Sequence, residues 1–194
     1  MNESKHMTVR PLTPGRWPDL EALFNARGCG VARNCWCMYY RRSGPTPVPP
    51  GMTRRETERA ALKRLVESGK PPGLIGYRDK VPVGWISLGP RKDYARLARS
   101  PVMRPVDDEP VWSIICYVVT AAFRRQGVAR SLLDAAIEYA RKQGARILEA
   151  YPVDKPRPSQ DGSLWFGTKA IYDAAGFREV ARRKPHRPVV RKYF

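Results

Sequence analysis

The 194-residue chain is poor in acidic side chains, in histidine and in long apolar stretches. No apolar run approaches the ~20 residues of a membrane-spanning helix, so we do not expect a membrane protein. Met1 to Thr8 is polar and lacks the apolar stretch of a secretory signal, which predicts a cytoplasmic location. The hydrophobic content of 42% is ordinary for a globular chain, and the length suits a single domain, 1–194.

Acidic residues number 18 against 36 lysines and arginines, which gives a formal net charge of +18. Such a charge favours nucleic acid, an anionic membrane surface or an anionic small ligand as partner. Proteins that bind nucleic acid usually concentrate their basic residues on one helix or arm. Here the basic pairs are spread along the chain, at Arg54-Arg55, Arg91-Lys92, Arg124-Arg125 and Arg182-Arg183. We therefore favour a solvated basic surface and expect neither nucleic acid nor a membrane as the partner.

Cysteine is also scarce, with only Cys29, Cys35, Cys37 and Cys116. Cysteines of a cytoplasmic protein are expected to be reduced. The first three are close enough in sequence to suggest soft metal ligands, but no C-x-x-C pair or nearby histidine completes a four-ligand site. We therefore expect no metal, and thiols that pack beside Trp36.

The most informative stretch is a strand that turns into a helix. Residues 111–119 are almost all apolar or β-branched, which predicts a strand buried on both faces. From Ala129 to Gln143 apolar residues recur every three or four positions, as in an amphipathic helix. The first N–H groups of such a helix lack intrahelical partners and bind phosphate, aided by the helix dipole. Three arginines lie near this turn: Arg124, Arg125 and Arg130.

Gly127 is the only glycine of the turn, so neither the P-loop nor the dinucleotide fingerprint is matched. The stretch Arg124-Arg125-Gln126-Gly127-Val128-Ala129 instead resembles the Arg/Gln-x-x-Gly-x-Gly/Ala signature of the GNAT family of N-acetyltransferases, which binds the pyrophosphate of coenzyme A. Downstream, Tyr172-Asp173-Ala174-Ala175-Gly176-Phe177 is similar to the family's Tyr-x-x-x-Gly-Phe. The alternative is an ordinary βαβ unit that binds no ligand.

The resemblance implies an α/β (α+β) fold, with helices flanking both faces of a mixed six- or seven-stranded sheet. Residues 111–177 would form the acetyl-CoA-binding core, and residues 1–72 the variable part that shapes the acceptor pocket. Within this part, Thr53 and Glu56 fit a capping box that starts a surface helix. The stretch from Gly28 to Tyr40 is aromatic and cysteine-rich, and we assign it no regular element.

The resemblance also implies acetyl-CoA as co-substrate. In the family the central strand parts from its neighbour, and free N–H groups there hold the acetyl carbonyl and the pantetheine arm. The corresponding residues are Val118 and Val119. The pyrophosphate would lie on the turn and on the start of the following helix. Those cofactor-binding residues are Arg124, Arg125, Gln126, Gly127, Val128, Ala129, Arg130 and Ser131.

Two side chains are candidates for the proton transfers. Tyr172 matches the tyrosine that is proposed in the family to protonate the leaving thiolate, although a packing role is the alternative. The family's asparagine seven residues earlier is Trp165 here, so Ser163, Thr168 or Lys169 would have to replace it. Glu149 ends a short strand and is the candidate base, with an exposed strand-end charge as the alternative.

The acceptor site is predicted from charge and from aromatic residues. Asp107-Asp108-Glu109 is the only acidic run of this basic chain, and Asp154 is a further carboxylate able to attract a cationic amine. A solvated loop would explain the run equally well. Trp36, Tyr39 and Trp112 offer rings that hold cations or stack on sugars, although core packing accounts for many such side chains.

Taken together, these residues predict an N-acetyltransferase that transfers an acetyl group directly to a small-molecule amine in a ternary complex. The whole sequence is similar to drug-modifying bacterial enzymes, and specifically to the kasugamycin 2′ type of aminoglycoside N-acetyltransferase. Two alternatives stay open: an enzyme that acetylates a protein or peptide, and a basic nucleic-acid-binding module on a vestigial acetyltransferase fold. The sequence also leaves open whether the protein forms a homodimer.

Overall fold

The computed structural model describes residues 7–155 and 164–194. In these ranges seven strands form one sheet: β1 (Met7–Pro11), β2 (Gly73–Arg78), β3 (Val81–Pro90), β4 (Trp112–Val119), β5 (Ile147–Ala150), β6 (Arg178–Arg182) and β7 (Pro188–Tyr193). The α-helices in the same ranges are α1 (Trp17–Asn25), α2 (Gly30–Cys35), α3 (Arg54–Glu67), α4 (Val128–Lys142) and α5 (Lys169–Asp173). None of these helices is long and apolar enough to span a membrane.

The strands follow the order β1-β2-β3-β4-β5-β7-β6 across the sheet. Neighbouring strands are antiparallel except for β4 and β5, which run parallel. Because β4 is central, each of its faces must be covered by a helix layer.

Side chains of the central strands alternate between two cores, one on each face of the sheet. Tyr117 of β4 packs with α4, whereas its neighbour Val118 packs with residues of α1, α2 and α3. Helix α4 turns an apolar stripe toward the sheet, and Leu132 and Ala136 on this stripe are fully buried. Helices therefore flank both faces, and the expected mixed α/β fold is confirmed.

The helix expected around residues 53–68 is present as α3, with Thr53 as its N-cap. The hydroxyl of Thr53 accepts from the N–H of Glu56 at 3.2 Å, and the carboxylate of Glu56 accepts from the N–H of Thr53 at 2.7 Å. Both halves of the predicted capping box are thus formed.

Helix α2 lies in the cysteine-rich stretch to which we assigned no regular element. It ends at Trp36 and Cys37, which have positive φ angles of 45° and 52°. A left-handed residue is a usual way to end a helix, but glycine normally supplies it. The side chain of Trp36 is fully buried against Trp17, with ring centroids 5.6 Å apart, and this packing holds the turn.

Strand β4 pairs with β5 only over its first three residues, Trp112 to Ile114, which lie beside Leu148 to Ala150. Beyond this point β4 pairs only with β3, and the gap on its other side receives the segment that precedes α5. There the carbonyl of Trp165 accepts from the N–H of Tyr117 at 2.6 Å. The separation leaves space beside the second half of β4.

Candidate active site

A cavity of about 730 Å³ occupies this space. Its wall is drawn from four segments: residues 28–40, 115–119, 123–130 and 164–171. The first contains α2 and the turn after it, the second is the separated half of β4, the third leads into α4, and the fourth leads into α5. The cysteine-rich segment and the phosphate turn, which are far apart in the sequence, therefore line the same cavity.

The phosphate turn lies at one end of the cavity. Gly127 is the N-cap of α4 and has a φ of +80°. A Cβ at this position would meet no atom within 4 Å, so the backbone conformation, and not a lack of space, calls for glycine. The first helical hydrogen bond joins the N–H of Ser131 to the carbonyl of Gly127 at 3.1 Å. The N–H groups of Val128, Ala129 and Arg130 precede it and therefore have no partner within the helix.

Two of the predicted cofactor-binding residues do not line the cavity. The N–H of Ser131 is used inside the helix, and its hydroxyl bonds to the carbonyl of Gly127. The side chain of Gln126 donates to the carbonyl of Ala122 at 2.7 Å and accepts from Arg78 at 2.6 Å. Gln126 therefore stabilises the shape of the turn from outside.

The three arginines of the turn all contribute to the cavity wall. Arg124 donates to the carbonyl of Gly28 at 2.8 Å, which ties the turn to the segment before α2. Arg130 pairs with Asp134 at 3.0 Å on the exposed side of α4. Arg125 has a positive φ of 59°, so the turn holds two left-handed residues, Arg125 and Gly127, before the helix starts. Three cations and three unpaired N–H groups at one end suit a pyrophosphate.

The backbone of β4 gives different roles to the two valines of the predicted acyl site. The N–H of Thr120 donates to the carbonyl of Val83 on β3 at 3.1 Å. Since backbone groups alternate in direction along a strand, Val118 also turns its N–H toward β3. Val118 lines the cavity through its side chain, and the expectation that its N–H holds the acyl carbonyl does not fit this geometry.

Val119 turns its backbone groups the other way, toward the gap. Its carbonyl accepts from Arg124 at 3.3 Å, on the cavity side of the strand. The N–H of Tyr117, which points in the same direction, is already bonded to Trp165. The N–H of Val119 therefore fits the predicted carbonyl donor better than that of its neighbour.

Tyr172 lies behind the wall of the cavity and is fully buried. Its hydroxyl donates to the carbonyl of Phe166 at 3.1 Å. The ring meets that of Tyr117 edge to face, with centroids 6.3 Å apart, and Tyr117 itself lines the cavity. Burial raises the pKa of the Tyr172 phenol well above its usual value, so the group keeps its proton at neutral pH.

Glu149 does not reach the cavity, and it is not an exposed strand-end charge either. The side chain is 1% exposed. One carboxylate oxygen accepts from Arg91 at 2.7 Å and from the hydroxyl of Tyr151 at 2.6 Å. The other oxygen accepts from Arg191 at 2.8 Å. The carboxylate is fully occupied in a buried ion network, and the expectation that it faces the transfer centre is not met.

The predicted acidic docking residues also lie elsewhere. Asp107 forms two hydrogen bonds with Arg191, at 2.6 and 2.9 Å, and Arg191 lowers the pKa of that carboxyl. The neighbouring Asp108 and Glu109 belong to the same exposed loop and do not line the cavity. Asp154 pairs with Arg182 at 2.6 Å.

Of the predicted aromatic residues, only Tyr39 lines the cavity. Trp36 is part of the core on the α1 side, and Trp112 packs against Tyr139 of α4 with ring centroids 6.2 Å apart. At the position of the family's asparagine, Trp165 forms part of the wall, as does Thr168. The other suggested replacements do not contribute, because Lys169 pairs with Asp173 at 2.7 Å, and Ser163 lies outside the described residues.

Several wall residues were missed by sequence reasoning. Tyr40 lines the cavity, and burial raises its pKa to about 12. The thiols of Cys35, Cys37 and Cys116 also face the cavity and lie in contact with one another. The only signal in the sequence was the density of aromatic residues and cysteines before residue 41. Within the part of the chain that the structure describes, no group of His, Cys, Asp and Glu is arranged to hold a metal ion.

Residues 26–160 match the model of the acetyltransferase (GNAT) family. The chain belongs to this family. Its N-acetyltransferase fold uses acetyl-CoA, in agreement with the helix N-terminus and arginines at one end of the cavity. The match ends before Tyr172, so the tyrosine motif is supported only by the sequence resemblance. No curated protein matches the chain significantly in sequence.

Solved structures of GNAT proteins share the fold at low sequence identity. A ribosomal-protein-alanine N-acetyltransferase from Brucella melitensis is 19% identical, with a TM-score of 0.55 over 96% of this chain and 99% of that one. A polyamine N-acetyltransferase from Drosophila melanogaster is 12% identical, with a TM-score of 0.58 over 97% and 100%. The PaiA N-acetyltransferase from Thermoplasma acidophilum, solved with coenzyme A, is 13% identical, with a TM-score of 0.54 over 97% and 99%.

Proposed function

We propose that this GNAT enzyme transfers the acetyl group of acetyl-CoA directly to the amine of a small molecule. The observation that carries the proposal is the cavity of about 730 Å³ beside β4. It is walled on one side by residues 28–40, and this enclosure suits a small acceptor better than a protein chain. In this proposal residues 1–72 shape the acceptor side, and residues 111–177 hold the co-substrate.

The basic end of the cavity supplies the binding of phosphate. The N–H groups of residues 128–130 and the guanidinium groups of Arg124, Arg125 and Arg130 hold the pyrophosphate. Acetyl-CoA supplies the acetyl group as a thioester, a form that an amine attacks readily. The N–H of Val119 then stabilises the negative charge that develops on the carbonyl oxygen.

Two proton transfers complete the reaction. The buried and protonated phenol of Tyr172 is proposed to deliver a proton to the departing thiolate, which is a stronger acceptor than the neutral carbonyl of Phe166 that now takes its hydrogen bond. The attacking amine must lose a proton, and we propose that water removes it, because the carboxylate of Glu149 is occupied by Arg91 and Arg191.

An aminoglycoside of the kasugamycin type is the acceptor that the sequence resemblance favours. A polycationic acceptor calls for carboxylates beside the cavity, whereas Asp107 and Asp154 are paired with arginines at other places. The sequence resemblance therefore favours an aminoglycoside, whereas the charges favour an amine that is not a polycation. The experiment must include both kinds.

The test is acetyl transfer measured by mass spectrometry of the products. The purified protein is incubated with acetyl-CoA and, separately, with kasugamycin, spermidine, aromatic monoamines and a peptide mixture. We expect a small amine that gains one acetyl group with release of one CoA. Acetylation of peptides alone, with every small amine unchanged, would transfer the proposal to a protein acceptor.

A further inference from the structure

The two ends of the cavity differ in chemistry. Cations and helix N–H groups form one end, as described above. Tyr39, Tyr40 and Trp165 also line the cavity, on segments other than the phosphate turn, and we call them its aromatic end. Tyr40 belongs to a core cluster around Phe166 and Tyr151, to which α4 contributes no residue. If the phosphates lie at α4, the aromatic end is the part of the cavity left for the acceptor.

The rings at this end are held in fixed positions. Tyr39 and Tyr40 meet edge to face, with centroids 4.9 Å apart and planes at 85°. Tyr40 in turn packs on Phe166 at 5.5 Å, and Trp165 packs on Phe166 at 6.3 Å. Tyr39 is 41% exposed, so part of its ring is free to contact a ligand. Rings fixed in this way provide a stacking surface at little cost in entropy.

The charges near the rings are positive. The guanidinium of Arg96 lies 4.0 Å from the centroid of the Tyr39 ring, and that of Arg187 lies 4.6 Å from the centroid of the Phe166 ring. Among the described residues, none that lines the cavity carries a carboxylate. A polycation would therefore meet repulsion from these two arginines, and no carboxylate among the described lining residues compensates it. A neutral or anionic acceptor would not meet this repulsion.

We infer that the acceptor is a monoamine whose amine is attached to a flat aromatic body bearing neutral or anionic substituents, seated against Tyr39, Tyr40 and Trp165. This inference rests on the proposed function. In the reaction the neutral amine nitrogen forms a bond to the acetyl carbon, and the bond from that carbon to sulfur breaks. The nitrogen loses one proton and the thiolate gains one, so the products are an aromatic N-acetylamine and CoA.

The experiment compares the kcat/KM of tyramine and 4-aminobenzoate with that of spermidine and kasugamycin at saturating acetyl-CoA. We expect the kcat/KM of at least one aromatic amine to exceed that of both polycations by about tenfold or more, which corresponds to a contribution of about 1.4 kcal/mol. Tyr39→Leu should raise the KM for that amine several-fold and leave the KM for acetyl-CoA unchanged, and Tyr39→Phe should restore it. Tyr193→Leu changes an exposed tyrosine away from the cavity and serves as the control.

The outcomes separate this inference from the function on which it rests. A higher kcat/KM for kasugamycin or spermidine would overturn the aromatic acceptor and leave the small-amine acetyltransferase standing. If the Tyr39→Leu variant has the same KM for the aromatic amine as the unmodified protein, the aromatic end is not part of the acceptor site. Binding of acetyl-CoA without acetylation of any small amine would overturn the proposed function itself.

Discussion

Tyr172 and Glu149 are both buried, but Tyr172 bonds to a neutral carbonyl whereas Glu149 bonds to two arginines. The hydroxyl of Tyr172 donates to the carbonyl of Phe166 next to the cavity wall, and we propose that the departing thiolate takes the place of this neutral acceptor. Glu149 lies between Arg91 and Arg191, and if it were neutral Arg91 would lose this ion pair and Arg191 would keep only the one with Asp107. Breaking such a buried pair costs about 3–5 kcal/mol. We therefore assign Glu149 to the stability of the sheet, where it joins β5 to β7.

The role of Tyr172 is tested by Tyr172→Phe. If the phenol protonates the thiolate, kcat should fall by roughly 10²-fold or more, which is the usual contribution of a positioned acid. The affinity for acetyl-CoA, measured by calorimetry, should stay within a factor of two or three. The lost hydrogen bond to Phe166 should cost only about 1 kcal/mol of unfolding free energy.

Tyr151→Phe is the matched control for this measurement. It also removes a fully buried tyrosine hydroxyl, one that bonds to Arg91 and Glu149 and lies away from the cavity. We expect a larger loss of stability and little change in kcat. Equal values of kcat in the two variants would leave Tyr172 with a packing role only.

At the level of elements, the start of α4 and the separated half of β4 create the site together. The helix start is fixed by Gly127, and the gap in the sheet is fixed by the segment before α5 that bonds to Tyr117. Neither element would form a cavity alone. The contact of Arg124 with Gly28 then closes the turn against the segment before α2.

Substitution of Gly127 separates backbone strain from blocking of the phosphate site. At a φ of +80°, both Gly127→Ala and Gly127→Glu should lose about 1–2 kcal/mol of unfolding free energy. Because the space around Gly127 is open, neither side chain meets a clash within the protein. Only the glutamate places an anion at the predicted pyrophosphate site, so it should abolish binding of acetyl-CoA while the alanine variant retains most of it. Equal affinity of the two variants in calorimetry would contradict the position of the pyrophosphate.

Elements whose shape is determined locally could be predicted from the sequence. The capping box of Thr53 and Glu56 needs only residues within one turn, and the left-handed glycine before α4 needs only its own backbone. Helix α2 was missed because its end depends on Trp36 and Cys37, which adopt positive φ angles that neither residue favours by itself. Those angles persist because the distant core around Trp17 holds the indole.

Over the whole molecule, the phosphate end of the cavity is built from neighbouring residues, whereas the proposed acceptor end depends on contacts between distant ones. The residues predicted to bind the phosphates are contiguous in sequence, and all of them except Gln126 and Ser131 line the cavity. The acceptor end brings Tyr40 beside Phe166, and the predicted acidic residues are drawn away by arginines such as Arg191 and Arg182. Pairings between such distant residues leave no trace in local spacing. For this reason most residues predicted for the cofactor line the cavity, whereas of those predicted for the acceptor only Tyr39 does.

The net charge of +18 also acts at this scale. A positive field raises the local concentration of anionic ligands, and its effect on exposed sites weakens as salt screens it. It suits a co-substrate that carries phosphates, and it opposes the entry of a polycation. The charge therefore agrees with both ends of the cavity as they are described above.

The three thiols in the cavity wall offer the main alternative to direct transfer, since a cysteine could accept the acetyl group first. Contact with Cys37 and burial raise the pKa of Cys35, and contact with Cys116 and burial raise that of Cys37. A raised pKa keeps the thiols of Cys35 and Cys37 neutral, and a neutral thiol is a poor nucleophile. Initial rates should therefore be measured while acetyl-CoA and the best small amine are varied together, with the acetylated product identified by mass. Our account predicts double-reciprocal lines that intersect, as required by a complex that holds both substrates, whereas parallel lines and an acetylated cysteine in the enzyme alone would contradict it.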